Sequence, residues 1–398
     1  MRDWIFSRQR YWGEPIPIIH CPRCGEVPVA EEDLPVELPH VERYQPTGTG
    51  ESPLAAIAEW VNVACPRCGG AAKRETDTMP QWAGSCWYFL RYVSPDCDTA
   101  LADPQAVRKW LPVDLYVGGI EHAILHLLYA RFFVKFLYDI GVVPFDEPFT
   151  RLFNQGMIVR RSELTGKLEK MSKSKGNVVN PDELVHTYGT DALRLYELFI
   201  GPPEETAEWN DSGIEGMYRF LRRVWHWVLE TAPRAQATTA PDIEQRLHLM
   251  LKQVTERLEG FRFNTAISAM MEFLNYVLHP EHAAKPVSRR TLQTFLIALA
   301  PFAPHLAEEL WERLGETDSI FAQRFPTYDE ALTRLPETVV AVQINGKVRG
   351  TVAVPTDSDE ETVRAAVLAD AKLQRYVAGK RVERTFFVPN RILNLIVR

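Results

Sequence analysis

No apolar run in this 398-residue chain approaches the roughly 18 residues of a membrane span, and the opening "MRDWIFSRQRYWG" lacks the apolar centre of a signal peptide. A membrane-spanning protein and a secreted precursor are thereby set aside, and a cytoplasmic protein is expected. An excess of positive charge is also missing. The formal net charge is -7, so the overall field cannot coat a polyanion, and any nucleic-acid contact must use local basic patches. Cysteines are few, at six. What the chain does have is 46% hydrophobic and 24% charged residues, enough to bury a real core, and a length that suggests two to four domains.

Four of the cysteines form two matching pairs, Cys21-Pro22-Arg23-Cys24 and Cys65-Pro66-Arg67-Cys68, each followed by glycine. A Cys-x-x-Cys turn aims two thiolates at one centre, and two such turns supply the tetrahedral sulfur shell that zinc prefers. Structural zinc is therefore expected on Cys21, Cys24, Cys65 and Cys68, with a small insertion hanging between the pairs. A dithiol redox pair and plain buried cysteines are the competing readings. Against a redox pair stand the repetition of "CPRCG" and the rarity of cytosolic disulfides. Cys86 and Cys97 read as ordinary thiols.

Further on, "VDLYVGGIEHAILHLLYARFFVKFLYDIG" combines a short β-rich run, a Gly-Gly turn and about 20 residues of helical periodicity ending at Gly141. In an open parallel sheet, such a strand-turn-helix junction lies at the carboxyl edge, where glycines let a nucleotide approach the backbone. Glu121, just after Gly118-Gly119, is placed to accept hydrogen bonds from ribose hydroxyls. His122, His126 and Tyr129 would share one helix face. A His-x-x-x-His pair could bind metal, but no glutamate sits between these histidines as a metalloprotease motif needs. A pocket wall is the expectation, with two histidines satisfied in a core as the alternative.

A second strand is expected in "RLFNQGMIV", followed by "KLEKMSKSKGN", which packs four lysines into eleven residues. Ammonium groups on a loop with small hydroxyl residues suit a triphosphate whose charge changes during reaction. A solvated charge run would not need the Met171 anchor or the Gly176-Asn177 exit. After the loop, Asn180-Pro181 and Thr190-Asp191 read as helix starts.

From about Glu215 the apolar residues recur at helical spacing in "MYRFLRRVWHWVLE", "EQRLHLMLKQVTERL" and "RTLQTFLIALAPFAPHLAEELWERLG", which predicts a helical bundle with "TAPRAQATTAPD" as a surface connection. The tail reads as strand, turn, strand, helix, strand, with a hairpin at Asn345-Gly346. It carries ten Lys plus Arg against seven Asp plus Glu, or +3 inside a chain of -7, which suits a module touching a nucleic-acid backbone.

"KMSKS" followed by "KGN" resembles the signature loop of class I aminoacyl-tRNA synthetases, and "GGIEHAILHLLYARF" with "SRQRYWGEPIPI" resembles the bacterial leucyl-tRNA synthetase family in particular. The resemblance covers essentially the whole chain. It implies an α/β fold: the second half of a Rossmann-like class I catalytic domain over residues 1–214, with a zinc-knuckle insertion at about 18–76 and the signature loop at 170–174. A helical anticodon-binding-type domain would occupy 215–335, and a small α+β tRNA-contacting domain 336–398. It further implies ATP as substrate with Mg2+, structural Zn2+, and leucine and tRNA(Leu) as partners, with no membrane association.

By the same resemblance, Lys170 and Lys173 are catalytic and stabilise the transition state that releases pyrophosphate. Gly119, Glu121, His122, Met157, Ile158, Met171, Ser172 and Ser174 join them around ATP, with the backbone at Met157 and Ile158 meeting adenine. "TDTMPQWAGSCWYFLRY" resembles the amino-acid pocket, which assigns leucine to Trp82, Ser85 and Tyr88, with His122 and His126 approaching from the facing helix. As a plain aromatic stripe the same residues would be core. Exposed Arg219, Arg222 and Arg223 would contact tRNA or form a solvated face.

The family's His-x-Gly-His segment and editing domain do not occur in these residues. The expectation is a carboxyl-terminal portion of a leucine-activating ligase that needs the amino-terminal half for activity, joined covalently or as a split subunit. A stand-alone, non-catalytic tRNA-binding or regulatory module is the alternative.

Overall fold

A computed structural model describes residues 4–41, 48 and 50–398. Residues 42–47 and 49, which fall within the expected zinc insertion, and residues 1–3 lie outside the described residues. The chain divides into two compact units, Met1–Gly156 and Met157–Arg398.

In the first unit, β1 (Ile18–Cys21), β2 (Gly25–Pro28), β3 (Asn62–Ala64) and β4 (Ala71–Arg74) form an antiparallel sheet in the order β2-β1-β4-β3. Each Cys-x-x-Cys occupies the turn of one hairpin. Gly25 and Gly69 lie at φ 77° and 70°, a left-handed conformation costly for any residue with a Cβ, which explains why both pairs end in glycine. Short helices follow: α1 (Ala58–Val61), within the insertion, then α2 (Trp82–Ser85), α3 (Tyr88–Tyr92) and α4 (Pro104–Trp110). The strand β5 (Tyr116–Gly119) pairs in parallel with β6 (Leu152–Gln155), Tyr116 opposite Leu152 and Gly119 opposite Gln155. Between them lies α5 (His126–Asp139), whose Tyr129, Ala130, Val134 and Leu137 pack with Phe89 and Leu90 in the unit's core.

The expected 20-residue helix differs from what forms. Ile120–Ile124 is a 3-10 segment, and Leu125, at φ -114° and ψ -111°, breaks the chain direction before α5 begins. His122 therefore belongs to a 3-10 turn and His126 to the first turn of a helix, so they do not share one regular helix face. "RLFNQGMIV" also splits. It yields β6 in the first unit and β7 (Ile158–Arg161) in the second, parted at Gly156-Met157.

In the second unit, β7 pairs antiparallel with β8 (Leu168–Lys170) and parallel with β9 (Ala207–Glu208). Around them lie α6 (Pro181–Tyr188), α7 (Thr190–Phe199), α8 (Gly213–Thr231), α9 (Pro241–Glu259), α10 (Phe263–Val277), α11 (Arg289–Leu299) and α12 (Pro304–Arg313). In α8 the buried residues Ile214, Met217, Phe220, Leu221, Val224, Trp227 and Val228 recur at three- and four-residue intervals, one stripe facing the core. Fully buried Phe295, Phe302 and Ile214 each contribute roughly 1.5–3 kcal/mol of burial.

The stretch expected as one long helix, "RTLQTFLIALAPFAPHLAEELWERLG", is two. Pro304 has no N–H to donate, and it opens α12 at the first helical position instead of continuing α11. Asn180 caps α6 as expected, its side chain accepting from Asp182 N at 3.1 Å. α7 starts at Thr190 as expected, with Gly189 before it, while buried Asp191 caps a different helix, accepting from Leu306 N at 2.7 Å at the start of α12.

The tail holds β10 (Glu337–Ile344), β11 (Lys347–Pro355), α13 (Glu360–Ala369), α14 (Ala371–Val377), β12 (Val382–Val388) and β13 (Ile392–Val397), with sheet order β11-β10-β13-β12. Asn345 and Gly346 both take positive φ, as a two-residue hairpin turn requires. The last expected strand is instead a hairpin, turning at Asn390 with φ 59°.

Candidate functional site

The four cysteine sulfurs of the knuckle hairpins lie within 4.8 Å of one another, and Cys21 Sγ is 3.7 Å from Cys68 Sγ on the other turn. A tetrahedral shell with metal–sulfur bonds of about 2.3 Å sets sulfur separations near 3.8 Å, so this donor set fits a four-coordinate metal ion. Backbone N–H groups of Arg23 and Cys24 point at Cys21 Sγ and hold its thiol down to about 6. Cys24 is pushed up to about 12, first by its side-chain hydrogen bond with Cys68 and then by desolvation. Cys86 and Cys97 are free thiols, and burial raises Cys86 to about 12.

The first unit holds two cavities of note. The larger, 530 Å³, lies against the knuckle sheet beside His20, Asn62 and Lys73. The smaller, 320 Å³, is lined by Trp82, Ser85, Tyr88, Tyr116, Gly119, His122 and His126, and sits at the lower end of the roughly 300–1,000 Å³ range of small-molecule sites. Convergent polar groups favour the smaller. All five residues expected around leucine line it.

Those groups form a directed chain. Tyr88 Oη donates to Tyr116 Oη at 3.0 Å, and Tyr116 Oη lies 2.6 Å from His126 Nε2. With Tyr88 as donor to Tyr116 and Ser85 as donor to Trp82 O, the assignment that satisfies every group has Tyr116 Oη donating to Nε2 and His126 Nδ1–H donating to Ser85 Oγ at 3.0 Å. Ser85 Oγ in turn donates to Trp82 O at 3.4 Å. Burial, followed by the neighbouring His122, lowers the His126 pKa and keeps the ring neutral, as this chain requires. Burial and then Tyr88 push the Tyr116 hydroxyl up, so it stays protonated. Tyr116 is stacked on Phe149 with ring centroids 3.8 Å apart.

His122 stands outside the chain. Its ring meets Trp82 edge-on at 5.3 Å, and its Nδ1 is buried without a hydrogen-bond partner, a polar atom left for a ligand. Gly119 and Glu121 are close neighbours: a Cβ on Gly119 would collide with the Glu121 carboxylate. Tyr116 was missed by the sequence reading. Its place at the start of the short strand that leads into Gly118-Gly119 was the available signal.

In the second unit, the lysine loop runs from β8 through Met171 and Ser172 into a 3-10 turn at Lys173–Lys175, and Gly176 closes it at φ 62°. It is held by a residue that had read only as an exit. Buried Asn177 accepts from Ser172 N at 2.9 Å and donates to Arg160 O at 3.0 Å and Glu169 O at 3.3 Å. Buried Ser162 donates to Lys175 O at 2.9 Å. Met171 is half-buried against the bundle core, the anchor expected of it. Ser172 and Ser174 hydroxyls lie 3.0 Å apart. The lysines are not equivalent: Lys175 Nζ is 2.8 Å from Glu169, whose carboxyl it holds below the usual range, whereas exposed Lys173 makes no ion pair among the described residues. Ile158 begins β7, and Met157 precedes it with its O accepting from Ala207 N at 3.1 Å.

These features define a class I synthetase catalytic domain followed by a tRNA-ligase bundle. The family model "tRNA synthetases class I (I, L, M and V)" matches residues 1–209, and "Anticodon-binding domain of tRNA ligase" matches residues 241–364. The chain belongs to the class I tRNA synthetase family.

Within it, the chain is 47% identical over its whole length to the leucine--tRNA ligases of Thermotoga petrophila and Thermotoga maritima. It covers 49% of each, so it spans about half the length of the curated relatives it matches. The solved ternary complex of Agrobacterium radiobacter K84 agnB2 LeuRS with tRNA and LeuAMS superposes with a TM-score of 0.76 at 39% identity, covering 100% of this chain and 51% of that one. Among the described residues, no helix is long and apolar enough to cross a membrane.

Proposed function

We propose that this chain is the carboxyl-terminal part of a leucine--tRNA ligase, acting in ATP-dependent formation of leucyl-adenylate and transfer of leucine to tRNA(Leu). The 47% identity across the whole chain carries the reading. Because the chain covers 49% of those relatives, the complete reaction is assigned to it together with a segment supplying the remaining length.

The 320 Å³ cavity is the leucine site. Trp82 and Tyr88 supply apolar walls, and the Ser85–His126–Tyr116–Tyr88 chain fixes the wall in one arrangement. A neutral His126 places no charge against an aliphatic side chain. His122 lines the cavity, and its unpaired Nδ1 is the polar atom assigned to the bound adenylate. Gly119 lets nucleotide approach the backbone, Glu121 takes the ribose hydroxyls, and the backbone at Met157 and Ile158 takes adenine. In the loop, Lys170 and Lys173 meet the triphosphate, with Ser172 and Ser174 as small hydroxyl neighbours. An ammonium placed where charge develops on pyrophosphate stabilises the transition state more than the ground state. Bound with ATP, Mg2+ would neutralise phosphate charge. Zinc held by Cys21, Cys24, Cys65 and Cys68 would crosslink the knuckle hairpins, since four thiolates leave no position for a reactive water.

The catalytic domain is read as residues 1–214, with the bundle at 215–335 and the tail at 336–398 contributing to tRNA. Arg219, Arg222 and Arg223 are exposed on α8, as a phosphate contact needs. The match of residues 241–364 to an anticodon-binding domain supports a second reading, a non-catalytic tRNA-binding or regulatory module.

Leucine-dependent ATP–pyrophosphate exchange, measured with the chain joined to the remaining half of a close relative, separates the two. Exchange with leucine but not isoleucine, valine or methionine is expected. tRNA binding without exchange would establish the second reading. Elemental analysis should find at least one zinc per chain, and Cys24→Ser should lose one equivalent and loosen the knuckle hairpins while the bundle stays folded. Metal-free protein with intact hairpins would remove zinc from the account.

A further inference from the structure

A second cluster of metal-binding side chains lies far along the chain from the cysteines, in the connection between α10 and α11. One ligand atom each from His279, Glu281 and His282 lie within 4.8 Å of one another. Three successive backbone bonds pin this turn: His282 N and Ala283 N both donate to His279 O at 2.8 Å, and Lys285 N donates to His282 O at 2.8 Å. The side chains are thus presented by a fixed backbone. His279 Nδ1 accepts only a long bond from Glu281 N, at 3.4 Å, which a metal ion would displace unless it takes Nε2, and it lies 3.8 Å from Glu281 Oε2, beyond hydrogen-bond reach.

His282 has the more telling surroundings. Its ring is stacked on Tyr276, with centroids 4.0 Å apart and planes at 22°, so its orientation is set. Its Nδ1 is buried with no hydrogen-bond partner, 3.6 Å from Asp242 Oδ2. Asp242, in the first turn of α9, is itself held by Tyr276 Oη and Lys285 Nζ, each at 2.7 Å. At 3.6 Å the two are not yet hydrogen-bonded, but a proton on Nδ1 would point toward that carboxylate, and closing the gap by about half an ångström on metal binding would leave Nε2 to the metal in the carboxylate–histidine–metal arrangement that fixes a ligand's tautomer and raises its basicity. Nothing in leucine activation calls for these residues.

We propose that His279, Glu281 and His282 form a divalent transition-metal site of the zinc class, with Asp242 as the carboxylate that orients His282. Two imidazoles and one carboxylate are a donor set suited to zinc and its neighbours and poorly suited to calcium or magnesium. Three protein ligands on a surface turn leave a coordination position to water. Bound metal would tie the α10–α11 connection to the start of α9, raising thermal stability with metal concentration.

The test uses the full chain without a histidine tag, its thiol site first filled with one equivalent of zinc. Calorimetric titration with Zn2+ should show a second equivalent binding. Titration with Co2+ should give a ligand-field spectrum with no thiolate charge-transfer band. His279→Gln, at an exposed position that does not threaten folding, and His282→Ala should each weaken this equivalent at least tenfold, and the pair together should abolish it. Asp242→Asn should weaken it by about 10–100-fold, the usual effect of losing such an orienting carboxylate. Cys24→Ser should leave it in place. Absence of a second equivalent overturns the proposal. So does a second equivalent that survives the double histidine change or shows a thiolate band. Its failure would leave the leucine reading untouched, since none of these residues belongs to that site.

Discussion

The cavity of the first unit and the lysine loop of the second hold their chemical groups in opposite ways. In the cavity, the polar atoms of Ser85, Tyr88, Tyr116 and His126 are tied to one another, neutral and mostly buried, and one atom, His122 Nδ1, is left unpaired. In the loop, Lys170 and Lys173 are exposed residues, and the buried anchors are Asn177 and Ser162, which carry no charge. On the proposed reading, a wall that discriminates an aliphatic side chain is best locked before the ligand arrives, and a loop that answers charge arising on a phosphate is better served by a fixed base and exposed ends. Lys175, paired with Glu169, belongs with the base, and Lys173 with the ends.

The largest way to break this contrast is to remove the base of the loop. Asn177→Ala leaves Ser172 N and the carbonyls of Arg160 and Glu169 without their partner, at about 1–3 kcal/mol for an orphaned buried group. Amide hydrogen exchange at Ser172 should accelerate by roughly one to two decades, while α8 keeps its protection. Unchanged exchange at Ser172 would mean that the loop is held elsewhere.

The cavity can be challenged through acid. Because the folded His126 pKa is lowered by burial, the unfolded chain binds a proton near pH 6.5 before the folded chain does. Stability from this residue is therefore present above about pH 6.5 and declines as pH falls from there toward the folded value. Thermal melts between pH 7.5 and 5.5 should show a steeper loss for wild type than for His126→Gln. Parallel pH profiles would show that His126 is not the group that matters.

The smallest effect is expected at the loop's paired lysine. Glu169→Gln removes a surface ion pair, of a kind worth about 0–1 kcal/mol, and should change stability by no more than that in a denaturant titration. A larger loss would make Lys175–Glu169 part of the loop's foundation.

Local chemistry was legible in the sequence where it is written in adjacent residues. The repeated "CPRCG", the Asn180-Pro181 cap and the Asn345-Gly346 turn each encode their geometry within a few positions, and each forms. The helical stripes of the bundle were legible for the same reason. Features that depend on distant partners were not. Asn177 anchors the loop through carbonyls up to 17 residues away, Tyr116 acquires its role only by meeting Tyr88 and His126, and Asp191 caps a helix 115 residues further on. The break at Leu125 was hidden too, since the apolar pattern continues across it while the backbone does not. The last strand pair was read as one because the turn at Asn390 relies on a positive φ in a residue that marks turns less strongly than glycine.

The division of labour within the loop is tested most directly by comparing Lys173→Ala with Lys175→Ala in leucine-dependent ATP–pyrophosphate exchange, with the remaining half of a relative supplied. Losing a charged contact made mainly in the transition state costs about 2.7–4 kcal/mol, or roughly a hundredfold to a thousandfold in rate, by analogy with lost oxyanion donors. Lys173→Ala should lower kcat by that much with the leucine KM little changed, and Lys175→Ala should be far milder. Equal losses at the two positions, or a Lys173 effect confined to the KM for ATP, would contradict the account and make the loop an electrostatic landing site only.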